Sequence, residues 1–170
     1  KPDFLRRHWR NAFKLTGMGE HFPEVFSHAP EAIAGFTARV RDVLNFAPDI
    51  RYRTPGGTDL AVDLSASKDM TVIDGIQGDD MVPGEAATFT EKIAGHVEFE
   101  GTFLCLIPFA TKYGLVSRGA LSFDIVAGRV ENLGGENQEL AADLGKHFAR
   151  HPDNNSVDEV GFGTNLGVTR

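Results

Sequence analysis

The chain has 170 residues, 41% hydrophobic and 24% charged, which suits one globular domain with room for a core. A net charge of -7 leaves no basic footprint for nucleic acid or an anionic membrane, since the one basic cluster is Arg6, Arg7, His8 and Arg10. No apolar run approaches the ~20 residues of a membrane span, and a lone cysteine, Cys105, excludes an internal disulfide framework and points to a reducing, cytoplasmic compartment.

Phe4, Leu5, Trp9 and Phe13 recur at helical spacing over residues 3–15. A stretch rich in Gly, His and Pro (17–30) reads as a connection. Pro30 and Glu31 suit the first turn of a second helix, whose apolar stripe is Ile33, Phe36, Val40, Val43 and Leu44 and which Pro48 ends. Strand alternation follows. Ile50 and Tyr52 alternate with Arg51 and Arg53, Gly56-Gly57 makes a turn, and Leu60, Val62 and Leu64 alternate with Asp59, Ala61 and Asp63, a hairpin with one wet face. Residues 70–74 suggest a short strand, and the Gly-, Asp- and Pro-rich residues 75–92 suggest a long polar loop. Val97 and Phe99 alternate with Glu98 and Glu100, and the continuous apolar run 103–109 suits a central strand.

Leu121, Phe123 and Ile125 form one arm of a second hairpin, which turns at Ala127-Gly128 into Arg129-Val130-Glu131. Leu140, Leu144 and Phe148 at i, i+4 and i+8 mark an amphipathic helix over about residues 136–150, stopped by Pro152. Helices, then strands, then a helix give an α+β class with a mostly antiparallel or mixed sheet in a single domain. Residues 1–48 are expected to be helical, 49–135 strand-rich, and 136–170 to hold the late helix and a terminal motif.

Several groupings have the residue types of a site. His147 and His151 stand four apart, the spacing of two zinc ligands on a helix, but the Glu of the zinc-protease motif is missing; histidines in a last helical turn also serve the helix dipole. His21, Glu24 and His28 would share a helix face, with Pro23 among them, and otherwise form a solvated loop. Asp79, Asp80 and Glu85 lie in the polar loop without the twelve-residue calcium pattern. Cys105, within Phe103-Leu-Cys-Leu-Ile107, reads as a buried small hydrophobe. Glu159-Val-Gly-Phe-Gly-Thr-Asn165 is neither a phosphate loop nor a dinucleotide fingerprint. Its glycines would admit a ligand or a neighbouring strand close to the backbone, and on spacing alone it reads as a tight strand-to-turn junction.

Taken in order, Gly57-Thr-Asp-Leu60, Pro83-Gly-Glu85 with Thr88-Phe-Thr90, Leu121-Ser-Phe123 through Gly128-Arg-Val-Glu131, the Leu140/Leu144 helix and Glu159–Asn165 resemble the aminopeptidase T-like family of metallo-aminopeptidases. The likeness covers roughly residues 50–167, and its superfamily includes 2,5-dihydroxypyridine dioxygenases. The resemblance implies a catalytic domain in which divalent metals (zinc, cobalt or iron) activate a water against an N-terminal peptide bond. It makes Glu85 and Glu159 metal ligands, with the remaining ligands later in the family's chain, so these residues are expected to be a segment of a longer catalytic domain. Where the family reads Glu-Val-Phe-Thr, this chain reads Glu-Ala-Ala-Thr-Phe-Thr. The resemblance further implies a peptide or small-molecule substrate and a homodimer. Its alternatives are a ring-opening dioxygenase with one non-haem Fe(II), and a non-catalytic ligand-binding module that has lost its metals.

Overall fold

A computed structural model describes residues 22–65, 70–76, 83–103, 106–157 and 159–168. The fold is α+β, and every strand pairing is antiparallel. Its strands divide between two open sheets. In the larger, β1 (Asp49–Arg53), β2 (Asp59–Asp63), β5 (Ile93–Gly101), β6 (Val116–Val126) and β7 (Arg129–Gly134) lie side by side in that order. In the smaller, β4 (Glu85–Thr88) runs between β3 (Thr71–Ile73) and β8 (Val160–Gly163). The described helices are α1 (Phe22–Val25), α2 (Pro30–Phe46), α3 (Ile107–Tyr113) and α4 (Gln138–Phe148). No helix among the described residues is long and apolar enough to cross a membrane.

Two apolar clusters hold these layers together. Val62, Leu64, Met70, Ile93 and Ile125 are buried beneath the larger sheet, with Leu44 of α2 and Val160 and Phe162 of β8 packed against them. Leu121 and Val116 of β6 meet Leu140, Ala141 and Leu144 of α4 in the second cluster. The i, i+4 stripe read from the sequence thus drives α4 onto β6. Asn137 caps that helix, its side-chain oxygen accepting from the Leu140 N–H at 3.0 Å.

The structure corrects three expectations. The apolar run 103–109 is not a central strand: α3 starts at Ile107, with Pro108 in its first turn. Proline cannot donate to a ladder but is favoured at a helix start, and Phe103, Phe109 and Tyr113 of this region pack against the α4 cluster. The polar loop 75–92 contains β4, whose inward residues Ala86 and Thr88 are too small to give an apolar signal. On α2, Val43 is 69% exposed, and Thr37, passed over by hydropathy, is fully buried. The helix expected over 3–15 lies outside the described residues.

Candidate functional site

The two carboxylates singled out by sequence lie on neighbouring strands. Glu85 opens β4, which is paired on one side with β3 and on the other with β8. Across the β4–β8 ladder Glu85 stands opposite Gly163, and Ala87 opposite Gly161. Directly opposed residues share a face, so Glu85, Ala87, Gly161 and Gly163 form one surface. Gly161 is where the Glu85 side chain crosses: a Cβ there would lie 2.5 Å from Glu85 Oε1. Any side chain at this position would displace the carboxylate, which gives the glycine a steric reason.

Glu159 immediately precedes β8, and exposure alternates from it onward. Glu159, Gly161 and Gly163 are exposed, Val160 and Phe162 half-buried, and Thr164 buried. This two-residue period carries Glu159 to the face of Gly161 and Glu85. The Glu159 backbone is two residues from Gly161, on the order of 7 Å along the strand.

The remainder of the motif secures this strand. Thr164 N–H donates to the Gly84 carbonyl at 2.7 Å, and Gly84 N–H to the Ile73 carbonyl at 2.7 Å. Gly84 has φ +115°, and a Cβ there would run into the backbone of Asn165, so only glycine suits the site. The Asn165 side-chain amide donates to the carbonyls of Pro83 at 2.8 Å and Val25 at 3.1 Å, and its oxygen accepts from Gly167 N–H at 2.8 Å. Thr164 Oγ1 meets Thr37 Oγ1 of α2 at 2.7 Å. One short segment is thereby tied to α1, α2 and the turn that leads into Glu85.

The other candidates do not assemble. His147 lies in the last turn of α4 with its ring edge-on to Phe109, at 6.0 Å between centroids, while His151 lies past the helix beside Asp153. Helix α1 ends at Val25, so Glu24 and His28 share no helical face, and Ser27 Oγ bonds the Glu24 carbonyl and His28 Nδ1. His21, Asp79, Asp80 and Cys105 lie outside the described residues. Among the described residues no three His, Cys, Asp or Glu side chains are grouped to hold a metal ion.

The sequence put Arg51, Arg53, Asp59 and Glu98 on polar strand faces, but did not reveal that they join His96 and Asp124 in one charged row across the outer face of the larger sheet. Asp59 of β2 is opposite His96 of β5, which is opposite Asp124 of β6. His96 Nδ1 lies 2.8 Å from Asp124 Oδ1 and Nε2 lies 3.1 Å from Glu98 Oε1. Both imidazole nitrogens face carboxylates, so the ring bridges Asp124 and Glu98 and forms ion pairs with them when protonated. Its hydrogen bonds to Asp124 and then Glu98 raise its pKa above the ordinary 6.5. The bond from His96, and a second from Asn132 Nδ2 at 2.9 Å, hold the Asp124 carboxyl below its usual range. Beside them Arg51 grips Asp59 through two 2.7 Å bonds and, with help from Arg53, lowers the Asp59 pKa to about 2. The sequence signals for this row were the polar alternation of β5 and the wet face of the β1–β2 hairpin, which mark exposed positions without revealing that their charges pair across strands.

No protein-family model and no curated protein matches the chain. The family likeness therefore rests on the residues quoted above and on nothing outside the chain.

Proposed function

We propose that Glu85 and Glu159 are two ligands of a divalent-metal centre in an aminopeptidase-like hydrolase. The observation that carries this reading is Gly161, whose missing side chain leaves room for the Glu85 carboxylate to lie across β8 on the face of Glu159. Two anionic oxygens on adjacent, hydrogen-bonded strands suit a hard or borderline cation. Rigid placement matters as much as donor type, and the Asn165 and Thr164 bonds provide it. When bound, such a cation polarises the scissile carbonyl and lowers the pKa of its water. The chain's own contribution is to hold two carboxylates on one accessible face of the small sheet. A catalytic centre needs about four protein and solvent ligands per metal, so further donors must join these two. The single cysteine in 170 residues supports a cytoplasmic location.

Calorimetric titration of the whole chain with zinc, cobalt and ferrous iron tests this reading. Saturable binding is expected, weakened on the order of tenfold or more in Glu85→Gln and in Glu159→Gln. Unchanged affinity in both variants would remove the carboxylates from the site. Folded protein that binds none of the three cations would favour the non-catalytic module.

A further inference from the structure

We propose that the cleft between α3 and α4 binds a small monoanionic carboxylate carried on an aromatic or branched aliphatic body. This inference is independent of the metal-centre reading, which rests on other elements.

The cleft holds about 470 Å³ where the start of α3 lies against the end of α4. That is within the roughly 300–1,000 Å³ of small-molecule sites. Asp143, Lys146, His147 and Arg150 line one wall. Their spacing of i, i+3, i+4 and i+7 sets them in one row along α4 and the turn after it. The Arg150 N–H reaches back to the His147 carbonyl at 3.2 Å, which carries the row past the end of the helix. Leu106 and Phe109 supply an apolar wall.

The charges of this row are not all paired. Asp143 is fully engaged: one oxygen accepts from Lys112 Nζ at 2.7 Å and from the Tyr113 hydroxyl at 2.8 Å, and the other from Lys146 Nζ at 2.9 Å. Lys112 also donates to Glu139 at 2.6 Å. Three cations, Lys112, Lys146 and Arg150, therefore stand against two carboxylates, which leaves one positive charge. That charge is on Arg150, whose exposed guanidinium has no hydrogen-bond or ion-pair partner among the described residues. The ring nitrogens of His147 bond no polar group among them either, and the ring touches only those of Phe109 and Phe148. In a chain with 24 acidic side chains against 17 Lys and Arg, this guanidinium is left open to a carboxylate from outside.

These groups select the ligand. A planar carboxylate matches the guanidinium fork with two parallel bonds, and the imidazole can add a third. One surplus charge suits a monoanion. A phosphate dianion would leave the cleft net negative, and the C-terminal end of α4 already carries the negative pole of its dipole. Exposed ion pairs contribute little in water, so Leu106 and Phe109 must supply part of the affinity, and only a ligand with an apolar body can use them.

Calorimetric titration of the whole chain with benzoate tests this, with EDTA present so that no carboxylate bound to a metal is read. Saturable binding at one site is expected, weakened on the order of tenfold or more in Arg150→Gln, with Arg150→Lys, which keeps the charge without the fork, falling between the two. Acetate, which lacks the ring, and benzyl alcohol, which lacks the charge, should each bind on the order of tenfold more weakly than benzoate, and inorganic phosphate more weakly too. Glu85→Gln should bind benzoate as the wild type does, which separates this site from the carboxylates of the small sheet. Circular dichroism verifies that each variant is folded; a cation that only served the α4 dipole would change stability and leave benzoate affinity alone. No saturable binding by the folded wild type, equal affinity in Arg150→Gln, or acetate or phosphate binding as tightly as benzoate would overturn the proposal.

Discussion

Replacing Thr37 by valine removes one hydroxyl from the joint between α2 and the segment after β8, at nearly constant volume. Thr37 is 0% and Thr164 3% exposed, so neither hydroxyl reaches water. Proton counting fixes the direction of their bond. Thr37 Oγ1 donates its one hydrogen to the Ile33 carbonyl at 2.9 Å, so in the 2.7 Å contact it must accept from Thr164. Thr37→Val therefore strands a buried donor on Thr164, a loss of about 1–3 kcal/mol. Thr164→Val leaves Thr37 still bonded to Ile33 and should cost about 0.5–1.5 kcal/mol. The double variant leaves no orphaned donor and should lose less than the sum of the singles, a coupling on the order of 1 kcal/mol. In a chain of this size the first change should lower Tm by roughly 2–12 °C. Urea unfolding of the four proteins completes the cycle. Additive losses, or a Thr164→Val loss equal to or above that of Thr37→Val, would refute the assigned proton direction.

Two further outcomes probe the faces of the two sheets. Gly161→Ala places a methyl 2.5 Å from Glu85 Oε1, the far end of a flexible side chain, whereas a Cβ at Gly163 meets nothing within 4 Å. Both variants should stay within roughly 1 kcal/mol of wild-type stability, but only Gly161→Ala should weaken cation binding, on the order of tenfold; equal affinities in the two would sink the steric argument. The His96 bridge sets a pH dependence. Its raised folded pKa makes its contribution full below pH 6.5 and lost as pH rises through the folded value, while the depressed Asp124 pKa makes that contribution full above 3.8 and lost in acid. Denaturant unfolding should therefore show a wild-type advantage over His96→Gln near pH 6 that shrinks toward pH 9, modestly because the His96 side chain is 43% exposed; an advantage constant with pH contradicts the bridge.

Where large apolar side chains repeat at a regular period, the architecture was legible. Leu140 and Leu144 marked α4, and the alternations around Gly56-Gly57 and Ala127-Gly128 marked both hairpins, since burial of one face leaves that period in the sequence. Legibility failed where burial used small or polar residues. Ala86 and Thr88 bury β4, and Thr37 and Thr164 are buried because they satisfy each other. It failed again at 103–109, where apolar content without a period fits helix and strand alike until Pro108 is weighed as a helix start. Glu85 and Glu159 stood out in the polar loop and the terminal motif, and only the resemblance paired them as metal ligands. His96 was missed because its meaning comes from Asp124, on a different strand, and sequence periodicity within one element carries no cross-strand partner.

The terminal motif can serve fold and site together because a strand divides its residues between two faces. Val160 and Phe162 pack toward the core of the larger sheet and Thr164 is locked to Thr37, so the even positions hold the segment in place. Glu159, Gly161 and Gly163 occupy the exposed face with Glu85. A change on the first set should alter stability whatever the motif binds, and a change on the second should alter binding with little effect on stability. The reading of Glu159–Asn165 as a tight strand-to-turn junction and its reading as the entry to a metal site are then compatible. The junction accounts for Gly84, Thr164 and Asn165 by backbone approach and hydrogen bonding, and the exposed face carries two carboxylates with a glycine between them. Under the proposed function those carboxylates are cation ligands, and substitutions confined to the exposed face test that proposal without disturbing the junction.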